Sequence, residues 1–216
     1  MYTQGNNKPP SVICYTDDQL KDLQQFLKSD KDHILGVDRT FNLGAVFVTN
    51  FVYKNTKVTS KESGDHPIFV GPLFLHWVGS FLSYHTFFSH VKARIQETVK
   101  NIDLRIGSDD ESGLTKALDS VFPEATRLLC IKHMKDNVSE YLKNSLGSTD
   151  KQRSDIISKL FGSNGLVAAE EFESMSGNLI SENPEFARYF DSRLKNRLLE
   201  HVNKPKKQLQ HERLWD

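Results

Sequence analysis

Three apolar runs crowd into residues 33–78: HILGVDRTF, LGAVFVTNFVY and HPIFVGPLFLHWV. Their Val, Ile, Phe and Tyr content suits a pleated, half-buried surface, and the spacing predicts three consecutive strands. Asn42 separates the first two, which form a hairpin, and the polar linker NTKVTSKESGD separates the third. Sequential strands of this kind pair antiparallel. A sheet is therefore committed before the first long helix begins.

Helices and strands then alternate. SYHTFFSHVKARIQETVK places Tyr84, Phe88, Val91 and Ile95 on one helical face. NIDLRIGSD reads as a fourth strand ending at Asp109. ESGLTKALDSVF groups Leu114, Ala117, Leu118 and Val121, and Pro123 stops that helix. TRLLC is a short fifth strand, followed by the helix KHMKDNVSEYLKNSL. Ahead of all this, SVICY is a short extended segment. TDDQLKDLQQFLKS is a helix capped by Thr16, with apolar residues at 20, 23, 26 and 27.

No strand pattern appears after about residue 149. DIISKLF, LVAAEEFESMSGNLI and PEFARYFDSRLKNRLLEHV read as helices split by GSNG and SENP. The expected class is α/β, a mixed sheet built β-β-β-α-β-α-β-α and followed by an all-helical segment. The expected divisions are 1–32 (lead-in and helix), 33–147 (α/β core) and 148–216 (helical segment with a basic end).

Charge separates along the chain although 28 Lys and Arg balance 28 Asp and Glu. Residues Asp109 to Glu124 hold five acids and one Lys, whereas Arg188 to Arg213 hold eight basic residues and three acids. A neutral total excludes a global basic field but not one acidic pocket and one basic surface. Two cysteines, Cys14 and Cys130, give no disulfide framework. No apolar run approaches the roughly 18 residues of a membrane span. The polar MYTQGNNKPP start carries no secretory signal. An intracellular location without membrane contact is expected. The aromatics Phe69, Phe74, Trp77 and Phe81 are expected to pack in the core and on the sheet.

The acids carry the chemistry. Right-handed crossovers make the later strands parallel to the first and bring its middle beside the end of the fourth. Asp38 and Asp109 then face one small space, where a hard divalent cation would offset their repulsion. The ordinary role of Asp109, Asp110 or Glu111 taken singly is to start a helix. Asp38 lies between apolar runs inside GVDRTF, where Asp is disfavoured as a strand residue.

GVDRTF, together with DLRIGSDDESGLTKALDSVFPEATRLLCIKHMKDNV, resembles the catalytic core of Mutator-like (MULE-type) DDE transposases. The likeness spans residues 34–138: an Asp-x-Thr-Phe, a Thr-Asp-Gly-Glu-like turn, a small-and-Leu helix, Phe-Pro, and a Cys-x-x-His before a helix ending Asn-Val. It implies an RNase H-like fold and cleavage and transfer of DNA strands by two-metal phosphoryl transfer. Asp38 and Asp109 match the two strand acids and would hold Mg²⁺ or Mn²⁺. Ser108 stands where Thr is usual, Asp110 where Gly is usual, and Glu111 matches the following Glu. Cys130 and His133 match the Cys-x-x-His. They are read as positioning residues and no zinc is expected, since a structural zinc site needs four ligands.

The third acid of the family is a Glu after a Trp and an Asn-rich run. ERLWD falls about where that run would begin, so this acid is expected to be missing and the chain to be a truncated relative. Glu170, Glu171, Glu173, Glu182 and Glu200 lack the expected context. An exonuclease of the same fold generally wants Asp-x-Glu, and Thr40 occupies that place.

The resemblance implies DNA as partner and a nuclear setting, and leaves the oligomeric state open, a homo-oligomer included. The alternative is a non-catalytic DNA-binding or interaction protein of transposon origin. Its contact surface would be the basic end, with Arg193, Lys195, Arg197, Lys204, Lys206 and Lys207 on phosphates.

Overall fold

The computed structural model describes residues 10–28, 34–55, 57–99, 103–169 and 171–202. The chain divides into two compact units, 1–127 and 128–216.

In the first unit, strand β1 (Ser11–Cys14) precedes helix α1 (Asp17–Leu27). Thr16 caps α1 through a reciprocal box. The Thr16 Oγ1 accepts from the Gln19 N–H (3.1 Å), while the Gln19 Oε1 accepts from the Thr16 N–H (2.8 Å). Strands β2 (Ile34–Leu43) and β3 (Val46–Lys54) form the expected hairpin, and β4 (Ile68–His76) continues the meander. The hairpin turns at Gly44–Ala45 and not at Asn42. Gly44 takes φ +67°, a conformation that suits glycine. Asn42 falls within β2 where the register shifts between Phe41 and Leu43.

A second irregularity sits opposite Phe51, between the pairs Asn50–Leu73 and Val52–Val70. Gly71 and Pro72 occupy the bulged strand there. Proline has no N–H for a ladder, and β1 pairs only from Leu73 onward, so the bulge accommodates it.

Helix α2 (Phe81–Val99), β5 (Arg105–Ser108), α3 (Ser112–Val121) and β6 (Thr126–Leu129) complete the alternation. The sheet order is β1-β4-β3-β2-β5-β6, with β2 parallel to β5. The chain is thus an α/β protein with a mixed six-stranded sheet.

One sheet face carries the core of this unit. Leu35 and Val37 of β2, Phe51 and Tyr53 of β3 and Phe74 of β4 meet Leu23 and Leu27 of α1. They also meet Tyr84, Phe87, Phe88, Val91 and Ile95 of α2, and Leu114, Ala117 and Leu118 of α3. Each large side chain fully buried in this way contributes on the order of 1.5–3 kcal/mol. Phe69 and Phe74 pack as expected, but Trp77 and Phe81 are 38% and 44% exposed, so the core expectation fails for these two. They lie at the end of β4 and the start of α2, where the chain leaves the sheet.

The second unit holds α4 (Ile131–Asn144), α5 (Asp150–Phe161), a 3₁₀ turn (Leu166–Ala168), α6 (Phe172–Glu182) and α7 (Pro184–Tyr189). A π turn (Phe190–Leu194) joins α7 to α8 (Lys195–His201). LVAAEEF is therefore not one helix start: a 3₁₀ turn comes first and α6 begins at Phe172. Leu129, Met134, Val138 and Leu142 share a core with Ile156, Leu160, Phe186, Phe190 and Leu198. Helix α4 buries its apolar face there, and the division between the units falls inside β6.

Candidate functional site

The ladder between β2 and β5 positions the acids. Its pairs run from Ile34–Arg105 to Val37–Ser108. Asp38 is the next residue on β2 and Asp109 is the first residue after β5, so the last parallel pair leads directly into both acids. Asp38 also pairs with Asn50 on the antiparallel neighbour β3. Side chains alternate along a strand. Leu35 and Val37 face the helical core, as does Arg39 through its contact with Tyr84 of α2. Asp38 therefore points to the opposite sheet face.

Arg39 organises the core-facing side. Its Nη1 lies 2.6 Å from the Glu111 Oε2 and donates to the Tyr84 hydroxyl at 3.1 Å. The Tyr84 hydroxyl donates in turn to the Glu111 carboxylate, 2.9 Å from Oε1 and 3.1 Å from Oε2. The guanidinium also lies 5.0 Å from the centre of the Phe47 ring.

The loop between β4 and α2 closes over this trio at Gly79. A Cβ there would stand 2.7 Å from the Arg39 Nη1, and 3.0 Å from both the Glu111 Oε1 and the Tyr84 hydroxyl. Below the trio, His76 is buried. Its Nδ1–H donates to the Val78 carbonyl (3.0 Å), which leaves Nε2 to accept from the Thr49 hydroxyl (2.9 Å).

Electrostatics follow from burial. Desolvation pushes the Tyr84 phenol well above its ordinary value, with the Glu111 carboxylate adding to the effect. Burial raises the Glu111 carboxyl too; Arg39 and Tyr84 pull it down and Asp109 pushes it up. With a permanently charged guanidinium at 2.6 Å, we take the Arg39–Glu111 pair as ionised. His76 is held below its usual range by burial, the Val78 bond raises it and the Arg39 charge lowers it further, so its ring is neutral.

Glu111 departs from its expected role. It occupies the N-cap position of α3, but its side chain makes no cap hydrogen bond. Its carboxylate turns instead to Arg39 and Tyr84, because a half-buried guanidinium offers a stronger partner than solvated helix N–H groups. Its backbone N–H donates to the Asp109 Oδ1 at 3.3 Å, which ties the two acids of the turn together. Ser108, beside them, is buried and donates its hydroxyl to the Asp109 carbonyl at 2.9 Å. Asp110, at the next position, is half-buried.

Other expected residues lie in the second unit. Cys130 is the buried N-cap residue of α4, and His133 follows in its first turn with a buried Nδ1 that has no hydrogen-bond partner. Among the described residues, no group of three or more His, Cys, Asp or Glu side chains is arranged to hold a metal ion.

Of the basic end, Lys204, Lys206 and Lys207 lie outside the described residues. Arg193 is in the π turn, and Arg197 is in α8. Lys195 pairs with the Glu173 Oε2 at 2.7 Å on the exposed surface of this unit. Glu182 pairs with Lys159 at 2.7 Å, and Glu200 lies 3.7 Å from His201. Glu171 holds the N-cap position of α6, and Glu170 lies outside the described residues.

Arg39, Tyr84, Gly79 and His76 are absent from the expected set. Arg39 adjoins Asp38 in GVDRTF, and a basic residue in a strand between apolar runs was a legible signal for a buried partner. Tyr84 was legible only as a core position. No family model matches the chain, and no curated protein matches it. No described helix is long and apolar enough to cross a membrane.

Proposed function

We propose that the first unit is an RNase H-like core related to Mutator-like DDE transposases, acting on DNA phosphodiesters through a divalent cation held by Asp38 and Asp109. One observation carries the proposal: the parallel register of the adjacent strands β2 and β5 ends immediately before these two acids. Further support comes from the strand arrangement, an antiparallel meander whose first strand pairs parallel with the strand after α2. This arrangement is what the proposed RNase H-like reading calls for.

The donor set fits the group in kind. Two carboxylates are hard oxygen ligands suited to Mg²⁺ or Mn²⁺. When bound, such an ion supplies charge neutralisation and activation of an attacking oxygen for phosphoryl transfer. The chain's own contribution is to fix one carboxylate in the middle of a sheet strand and the other at a strand end.

A second reading is a non-catalytic DNA-binding or interaction protein of transposon origin. The engagement of Glu111 by Arg39 and Tyr84 favours it.

Nicking of supercoiled plasmid with Mn²⁺ separates the two. The enzyme reading expects nicking that disappears in Asp38→Asn and in Asp109→Asn. Nicking that persists in the double variant sinks it. DNA retardation without nicking, weakened by salt, supports the second reading.

A further inference from the structure

Arg39 directly follows Asp38, and Glu111 stands two residues beyond Asp109. These two neighbours of the acid pair are joined to each other at 2.6 Å through the core-facing side of the sheet. The Glu111 N–H reaches back to the Asp109 carboxylate, and the Tyr84 hydroxyl holds both oxygens of the Glu111 carboxylate. Gly79 closes over the trio without room for a side chain. Three separate elements, β2, α2 and the β5–α3 turn, therefore converge on one ion pair.

We infer that Arg39 and Glu111, with Tyr84, form a brace that fixes the β5–α3 turn against β2 and so sets the spacing of Asp38 and Asp109. Arg39 and Glu111 are positioning residues: they act through their chain neighbours and do not touch the cation or the phosphodiester. The inference rests on the proposed cation site for its functional meaning.

Charge alone predicts something different from the brace. Removing the Arg39 cation from beside an acidic pair should tighten cation binding. Removing the Glu111 anion should loosen it. Loss of the brace loosens binding in both cases, because supporting residues that orient ligands are each worth about 10- to 100-fold in affinity.

The test uses the full chain with Mn²⁺ alone as probe, read by the electron paramagnetic resonance of the free ion. Wild type, Asp38→Asn, Arg39→Met, Arg39→Lys, Glu111→Gln and the Arg39→Met/Glu111→Gln double variant are compared. Amide hydrogen exchange across residues 108–113 is measured in the same set, with the amides of α3 beyond the turn as internal reference.

The brace expects Mn²⁺ affinity to fall about tenfold or more in Arg39→Met and in Glu111→Gln. It expects partial rescue by Arg39→Lys and no further loss in the double variant. It also expects faster exchange in the turn, while α3 exchanges as in wild type. Tighter Mn²⁺ binding by Arg39→Met, with turn exchange unchanged, overturns the brace and leaves the Asp38–Asp109 site standing. Absence of Mn²⁺ binding by wild type removes the cation reading alone. The exchange data then decide the brace: acceleration confined to the turn supports it, and unchanged exchange rejects it.

Discussion

Two ion pairs in this protein have nearly the same length and different surroundings. Arg39 and Glu111 meet at 2.6 Å with side chains 16% and 20% exposed. Lys195 and Glu173 meet at 2.7 Å with side chains 30% and 69% exposed. Distance does not tell them apart, and solvent does. Water around Glu173 already solvates each charge, so the pair gains little over its separated partners. At Arg39 most of that water is gone, and a tyrosine hydroxyl and an aromatic ring replace it. The strength of such a pair shows mainly when one partner is removed, since the survivor is left desolvated and uncompensated.

The largest expected effect breaks that contrast open. Glu111→Ala leaves the Arg39 guanidinium without its carboxylate and the Tyr84 hydroxyl without its acceptor. We expect a loss of about 2–3 kcal/mol, less than the fully buried limit because both side chains retain some exposure. For a chain of this size that lowers the unfolding midpoint by roughly 5–10 °C, read by calorimetry. The Arg39→Met/Glu111→Leu double variant should lose clearly less than the sum of its two single changes. Additive losses would show that the two residues act independently.

Gly79→Ala comes next. A methyl group 2.7 Å from the Arg39 Nη1 must displace the guanidinium or move the loop. Displacing the end of a long side chain is cheap in open solvent, but this end is held by two partners. We expect about 1–3 kcal/mol of destabilisation, measured by urea denaturation. A neutral result would mean that the loop yields freely.

Much of this architecture was legible in the sequence because hydrophobic periodicity reports it directly. The three early strands, α2, α3 and the Thr16 cap all follow from local spacing. The hairpin turn was misplaced at Asn42 because a bulge lets β2 run on to Leu43, and only pairing with β3 reveals a bulge. The placement of Asp38 and Asp109 just past the last β2–β5 pair follows from topology alone. The Arg39–Glu111–Tyr84 contact does not. It joins residues far apart in sequence, and its tyrosine occupies a helix position that apolar periodicity already explains. Trp77 and Phe81 failed for a related reason: composition marks an aromatic as core-forming, but the chain was turning away from the sheet at that point.

A smaller effect separates the sheet's interior from its surface by pH. His76 is neutral when folded, its pKa lowered by burial. Its contribution is complete above the unfolded value of about 6.5 and is lost as pH falls through the lower folded value. His90, lowered chiefly by burial and also by Arg94, works in the same direction. Glu111, raised by burial, works in the opposite sense, favouring the folded state as pH falls into the carboxylate range. Stability should therefore decline from about pH 6.5 downward, and His76→Gln should flatten part of that decline. An unchanged slope in the variant would place the titration elsewhere.

The smallest effect is expected at the exposed pair. Lys195→Met should cost no more than about 0.5 kcal/mol, and a double-mutant cycle with Glu173→Gln should give a coupling of the same size or less. Added salt should erase it, since screening acts on charges that water can reach. The Arg39–Glu111 coupling should change little over the same range. If both couplings fall together with salt, solvent access does not distinguish the two regions, and the Arg39 site is wetter than its geometry indicates. If only the Lys195 coupling falls, burial sets what each pair is worth, and two nearly equal distances describe two different interactions.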